Sequence, residues 1–349
     1  AGRLAYHHLQ AAGVEKSDSA AGFLALAGMD ALKRFGNAEA ADYLSAALKL
    51  LDEEGDLSAL KKHPDLSRRV ILKSLAVALS RLGKYEGAIP IWREAILEAE
   101  ARDLPEEAGE YRRRIGIIRS SQGKPHEALE EFDAILALPR ESISPLLRAR
   151  TRLRRGGALE ELGRPEEAAR ELTAVLEEAR ALGNASLLAQ AHRALVLLHI
   201  WTGRPGRVRA HADQALALAR ASGARAVEFW TFWGLAVFEG LLGNSEAMGE
   251  WVKESEKVAQ DLGSPILRLR SSELAIEQAA AMGEWERGIA LGEQAIDMAR
   301  ALSQNTLLPR LLVWTSLIYL GRGELELARP LIQEAWEVSG AGEKDMLNI

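Results

Sequence analysis

No cysteine occurs among the 349 residues, which excludes disulfides and thiolate metal sites and fits a cytoplasmic home. Aromatic residues are few, 5% of the chain, although apolar residues as a whole reach 48%. The core must therefore draw on alanine and other aliphatic residues, which suits closely packed helices. No long uncharged apolar stretch is present, so no membrane span is expected. No basic-then-apolar leader opens the chain either. A positive surplus is also missing: the formal net charge is −6, which argues against a nucleic-acid partner. The motifs that carry chemistry are absent as well. There is no phosphate-cradling GxxxxGK followed by Ser or Thr, and no GxGxxG. No HExxH occurs. His7 and His8 are adjacent and point different ways on a helix, while His192 and His199 stand two turns apart, a poor chelate. Carboxylate pairs such as Glu130-Glu131 and Glu166-Glu167 fall in turns and helices where a solvated outer face is the plain expectation, rather than a tuned acid–base pair. The sequence predicts a chain that is not an enzyme and holds neither cofactor nor metal.

What is there is a period. Gly83, Gly123, Gly163, Gly203, Gly243, Gly283 and Gly323 stand 40 residues apart, and Gly36 precedes them at a spacing of 47. Each follows an apolar helical run, where glycine closes a helix by taking a left-handed backbone conformation. Pro125, Pro165 and Pro205 come two residues later, suited to the first turn of a new helix. Before the glycine at 83, Val70, Leu72, Leu75, Ala76, Leu79 and Leu82 recur at helical spacing; after it, Ala88, Ile89, Trp92, Ala95 and Ile96 do the same. A second break reads Leu182-Gly183-Asn184, Ser222-Gly223-Ala224, Leu262-Gly263-Ser264 and Leu302-Ser303-Gln304. Each unit is thus helix A, tight turn, helix B and connector. Neither helix can bury its apolar stripe alone, so neighbouring units must stack.

These residues resemble the tetratricopeptide repeat. The small residue in mid helix A (Ala76, Gly116, Gly156, Ala236, Ser316) matches that family. So do the alanine five after the turn glycine (Ala88, Ala128, Ala168, Ala328) and the bulky residue four later (Trp92, Phe132, Leu172, Ile332). The unit is longer than the family's usual length of about 34 residues, and the family's proline at the end of helix B is out of register. The expected fold is all-α: a right-handed superhelical solenoid of about eight antiparallel helix pairs. It would form one body over residues 1–349, with a less regular junction at 1–60 and regular repeats at 66–340. The stretch Leu4-Ala5-Tyr6-His7-His8-Leu9-Gln10-Ala11-Ala12-Gly13 adds a narrower resemblance. It is similar to the junction that precedes the repeats in large bacterial signal-transduction ATPases, including LuxR-type regulators. The chain begins with Ala rather than Met, in keeping with a fragment or processed form.

In tetratricopeptide arrays helix A lines the concave face. Carried over by register, one column of inward positions reads Lys73, Arg113, Leu153, Arg193, Trp233, Glu273 and Val313, and its neighbour reads Val70, Glu110, Arg150, Gln190, Trp230, Arg270 and Arg310. The candidate ligand-binding residues are Lys73, Arg113, Arg150, Arg193, Trp230, Trp233, Arg270 and Arg310. The run 142–157 holds Arg148, Arg150, Arg152, Arg154 and Arg155 with no acid, while the preceding helix B carries Glu127, Glu130, Glu131 and Asp133. A basic inner wall would draw in an anionic ligand, and guanidinium forks suit carboxylates or phosphates. Against this stands the plainer possibility that the arginines bridge to acids of adjacent helices. Phe229, Trp230, Phe232 and Trp233 cover several faces of one helix, so they cannot all be core. Surplus aromatics of this kind mark binding hot spots, though packing between repeats is the competing use.

The resemblance implies a module that binds a protein, a peptide or a small anionic effector in its groove, and serves as the sensor arm of a bacterial signal-transduction ATPase or transcription regulator. Its further partner would be the nucleotide-binding module of the same larger protein. A stand-alone peptide receptor or scaffold is the alternative, and an enzyme concealed in a repeat scaffold the remote one.

Overall fold

The computed structural model describes residues 20–54, 66–302, 304 and 306–339. The 4–13 junction motif and Ser303 lie outside the described residues. Those described form sixteen α-helices and no strand. The chain divides into two compact units, residues 1–174 and 175–349.

The first unit holds α1 (Ala20–Lys33), α2 (Asn37–Glu54), α3 (Arg68–Arg81), α4 (Tyr85–Glu100), α5 (Pro105–Ser121), α6 (Pro125–Leu136) and α7 (Pro145–Glu161), and ends within α8 (Pro165–Ala181). The second continues with α9 (Ala185–Trp201), α10 (Pro205–Ser222), α11 (Arg225–Leu241), α12 (Ser245–Asp261), α13 (Pro265–Ala281), α14 (Trp285–Ala301), α15 (Leu308–Gly321) and α16 (Leu325–Ser339). Odd-numbered helices are helix A of each repeat and even-numbered ones helix B.

The glycine at 83 shows how the turns are made. Its φ is 70°, its N–H donates to Ser80 O at 3.2 Å, and the Lys84 N–H reaches Leu79 O at 3.0 Å. This pair of bonds satisfies carbonyls that the helix end leaves open. Glycines in the other periodic turns repeat the positive φ. The turn at Gly36 departs from this. There Phe35 takes the left-handed position, φ 62°, and Gly36 follows it with its N–H on Ala31 O at 2.9 Å. The looser spacing of 47 therefore reflects a turn shifted by one residue as well as a longer unit. Ser67, Ser144, Asn184 and Ser264 cap helix A side chain to backbone, while Pro105, Pro125, Pro145, Pro205 and Pro265 each occupy a first helical turn.

The small residue in mid helix A exists because helix B comes very close. A Cβ built on Gly116 would stand 2.4 Å from Phe132 Cε1. Phe132 is fully buried, as are Trp92 and Ile135 in the same unit and Phe229 in the other. Trp92 packs on Tyr111 with ring centroids 5.3 Å apart and donates its Nε1–H to Ser80 Oγ at 3.2 Å.

Within each unit, helix A of one repeat also touches helix A of another: α1 meets α3 and α5 meets α7 in the first, and α9 meets α11, α11 meets α13 and α13 meets α15 in the second. Each unit therefore draws in on its helix-A side, and this places the residues of the two inward columns. On α16, Leu325, Ile332 and Trp336 remain exposed and line an apolar hollow together with Leu320 of α15.

Candidate functional site

In the first unit the arginines of α5 and α7 separate into engaged and unengaged groups. Arg112 reaches Glu100 at 2.8 Å and Glu131 at 3.7 Å. Arg148 donates to the carbonyls of Leu136, Leu138 and Pro139 at 3.2–3.3 Å. Arg152 binds Glu171 at 3.1 Å, and Arg155 binds Asp133 at 2.6 Å and Glu171 at 3.1 Å. These are the bridges to neighbouring helices that the plainer reading of the basic run expects.

Arg113, expected to face a ligand, is instead 7% exposed and forks onto Glu110, Nε to Oε2 at 2.8 Å and Nη2 to Oε1 at 2.7 Å. A helix places residues three apart on one face, so this pair forms within α5 itself. Arg114 adds a bond to the same carboxylate at 3.1 Å. Burial acts to raise the Glu110 carboxyl, but the hydrogen bond and charge of Arg113, joined by Arg114, outweigh it and hold it below the usual carboxylate range. Arg113 is thus a support for the site rather than a free donor.

Arg150 and Arg154 stand apart. They lie one turn from each other on α7, both are exposed, and neither has a hydrogen bond or ion pair among the described residues. Arg154 is exposed to solvent, yet surrounding protein pushes its pKa down, and the charges of Arg113 and Arg114 push it further. Glu161, two turns along, is raised by burial alone. Lys73, on α3, is exposed and likewise unpaired among the described residues.

The second unit uses its cations differently. Glu273 is 0% exposed on α13. Arg270 approaches it at 3.5 Å, and Arg310 of α15 makes a close ion pair with its other oxygen. The two arginines at the end of the predicted column therefore neutralise one buried acid. Burial lowers the Arg270 pKa and the charge of Arg310 adds to that, against the pull of Glu273. Glu239, 1% exposed, is met by Arg209 and by Asn244 at 2.9 Å, and Glu228, 3% exposed, is met by Arg225. Arg193 is half-buried and engaged.

Of the aromatics on α11, Phe229 and Phe232 are core, and Phe232 stacks on Trp251 at 5.8 Å. Trp230 and Trp233 are half-buried and meet edge to face at 5.7 Å, with Trp230 also edge-on to Phe229 at 5.2 Å. Trp233 Nε1 is buried with no acceptor, a cost that the surrounding ring packing offsets.

One cluster was missed by reading helices singly. His192 and His199 of α9 are buried, and His211 of α10 lies against both, with ring centroids 5.2 and 5.1 Å away and the His192 and His211 Nδ1 atoms 2.9 Å apart. Burial, then the charge of His211, pushes His192 and His199 down to about 4. The only sequence signal was the seven-residue spacing on one face; nothing in the 40-residue register marks the third ring. Among the described residues no group of side chains is arranged to hold a metal ion, and no helix is long and apolar enough to cross a membrane.

No protein-family model and no curated protein matches the chain. Solved structures do. A signal-transduction ATPase with numerous domains and a tetratricopeptide repeat sensor, from Pyrococcus horikoshii, aligns over 87% of this chain at 14% identity with a TM-score of 0.58, and the chain spans only 47% of that protein. A Rap protein complexed with competence and sporulation factor aligns over 93% of this chain and 98% of its own length, at 12% identity and a TM-score of 0.63. A tetratricopeptide repeat protein from Parabacteroides merdae aligns over 84% of this chain and 98% of its own, at 15% identity and a TM-score of 0.54. Likeness at such identities fixes the fold and nothing finer. Together with the glycine turns, the small residue of helix A and the stacked helix pairs, it shows that this chain is a helical repeat array with the tetratricopeptide-repeat fold.

Proposed function

We propose that this chain is a peptide- or protein-binding repeat module whose ligand lies against its helix-A faces, and that it acts as the sensor arm of a larger nucleotide-switched signalling protein. The observation that carries the binding claim is the set of cations left unpaired on helix A of the first unit, Lys73, Arg150 and Arg154, all exposed. Exposed cations gathered on one helix face without counter-charges are groups that an anionic partner can complete. The sensor role is supported by the ATPase with a repeat sensor, of which this chain spans less than half. The partner would then be a peptide or protein on one side and the nucleotide-binding module on the other, in the cytoplasm.

A second reading, a self-contained peptide receptor, is favoured by the Rap structure complexed with a peptide factor, which matches this chain almost end to end. The mass of the natural gene product separates the two. A product far above 38.1 kDa supports the sensor arm, and one near that mass supports the receptor. The binding claim itself is tested by panning a random-peptide display library against the purified chain and measuring enriched sequences by fluorescence polarisation. Saturable binding that shifts the tryptophan emission is expected; no enrichment over an unrelated helical protein would end the claim.

A further inference from the structure

The first unit carries a row of positive charge that its own acids do not answer. Glu110 stands in the repeat position equivalent to Arg150, 40 residues earlier, on a helix in contact with α7. Both of its oxygens are already taken, Oε2 by Arg113 and Oε1 by Arg113 and Arg114. The acids of α6 and α8 that face this region, Glu131, Asp133 and Glu171, are likewise held by Arg93, Arg155 and Arg152. Arg113 and Arg114 thus engage Glu110, while Arg150 and Arg154 have no carboxylate, and Glu161, two turns beyond Arg154 on α7, has no ion pair among the described residues. Arg154 feels both Arg113 and Arg114 across the gap between α5 and α7.

Such an arrangement opposes itself, since like charges brought together in a partly desolvated place repel. It persists because the helices are held by their apolar stripes, and it is relieved when an anion enters. The spacing says what kind of anion. Arg150 and Arg154 are neighbours along one helix, with Cβ atoms roughly 5–6 Å apart. Arg114 and Arg154 are equivalent positions of successive repeats, on helices packed roughly 8–10 Å apart. The cations are therefore spread along and across two helices, and carry more positive charge than one small anion neutralises. They match an extended chain that presents carboxylates at intervals, and the guanidinium fork fits a carboxylate with two parallel bonds.

We infer that the helix-A face of the first unit is a receptor for an acidic peptide segment, whose carboxylates are taken by Arg150 and Arg154 with Arg114 beside them. This rests on the peptide-binding reading above and narrows it to one chemistry and one place. Arg113 acts through Glu110 as a positioning residue: the buried fork keeps that carboxylate from closing onto Arg150.

The test uses the full chain and the peptides recovered from the display library, together with a synthetic oligoglutamate and a neutral glutamine peptide of equal length. The enriched peptides should be acidic, and the oligoglutamate should bind where the glutamine peptide does not, weakening as salt screens the contact. Arg154→Gln should weaken acidic-peptide binding by about ten- to a hundredfold, the loss of a charge-assisted pair. Arg154→Lys should recover part of it, and Arg220→Gln on the exposed face of α10 should leave it unchanged. Circular dichroism confirms that each variant is folded. Enriched peptides that are not acidic, or that bind Arg154→Gln as well as the parent, overturn this inference and leave the peptide-binding reading standing. Absence of any peptide binding removes both. A short single-stranded RNA of the same net charge that binds more tightly than the oligoglutamate and loses affinity in Arg154→Gln would also overturn it, reassigning the row to nucleic acid.

Discussion

The two units are built from one repeat but use the register position of Arg150, Arg270 and Arg310 in different ways. In the second, buried glutamates are the fixed points, and arginines are drawn to them: Arg270 and Arg310 to Glu273, Arg209 to Glu239, Arg225 to Glu228. In the first, buried Glu131 likewise draws Arg93 and Arg112, but on the helix-A face Arg113 takes Glu110, and Arg150 and Arg154 stand without a carboxylate. The same register position thus serves as a charge lock in one unit and an open donor in the other. A repeat array can hold stability and recognition on equivalent sites because each repeat contacts chiefly its neighbours, so a local change of charge does not propagate.

The sharpest way to break this contrast is to remove both partners of Glu273. Arg270→Gln with Arg310→Gln leaves a fully buried carboxylate without a counter-charge, which costs about 3–5 kcal/mol. Urea unfolding should show a lower midpoint, and hydrogen exchange should place the loss at α13 and α15.

A smaller effect tests packing. Gly116→Ala pushes a methyl into Phe132 and should cost about 1–3 kcal/mol by thermal or urea unfolding. The equivalent residue of the second unit, Ala236, already carries that methyl opposite the smaller Val252, in one apolar cluster. Adding Phe132→Val to Gly116→Ala should therefore restore part of the lost stability.

Acid should act on the second unit first. The folded-state pKa of His192 and of His199 is pushed down to about 4 from an ordinary value of 6.5, so the fold favours their neutral forms. The stability they contribute is complete above pH 6.5 and is lost as the pH falls towards 4. Glu110, held low, gives up its contribution only below its ordinary value of 4.5. Exchange protection in α9 and α10 should fall before that of α5. His199→Leu should blunt the early loss, because it removes a ring that must be protonated in a buried place.

The repeat was legible in the sequence because its determinants are local. Glycine at a left-handed turn, proline in the first helical turn and a small residue at a fixed offset each act within one unit. The engaged arginines were half legible. Arg113 with Glu110 and Arg270 with Glu273 are three apart on one helix face, and that spacing alone argues for a pair. Arg310 with Glu273 needed the knowledge that α13 touches α15. Arg154 lay in the basic run but one residue outside the columns assigned to the inner face, so its place beside Arg113 and Arg114 was not seen. The histidine cluster was illegible because His211 comes from another helix and follows no repeat position. Side-chain pairing across helices depends on rotamer and reach, which a period does not encode.

The smallest expected effect is also the most decisive. Arg150→Gln with Arg154→Gln removes two charges that have no partner and repel Arg113 and Arg114, so stability should not fall and should rise by no more than about 0.5 kcal/mol. The most direct measurement is therefore a urea titration of the parent and of the two double variants, 150/154 and 270/310, side by side. A midpoint that is unmoved or slightly raised for the first pair and clearly lowered for the second is the predicted result. A first pair that destabilises as much as the second would show that the open arginines are structural after all, and would contradict the division of roles between the two units.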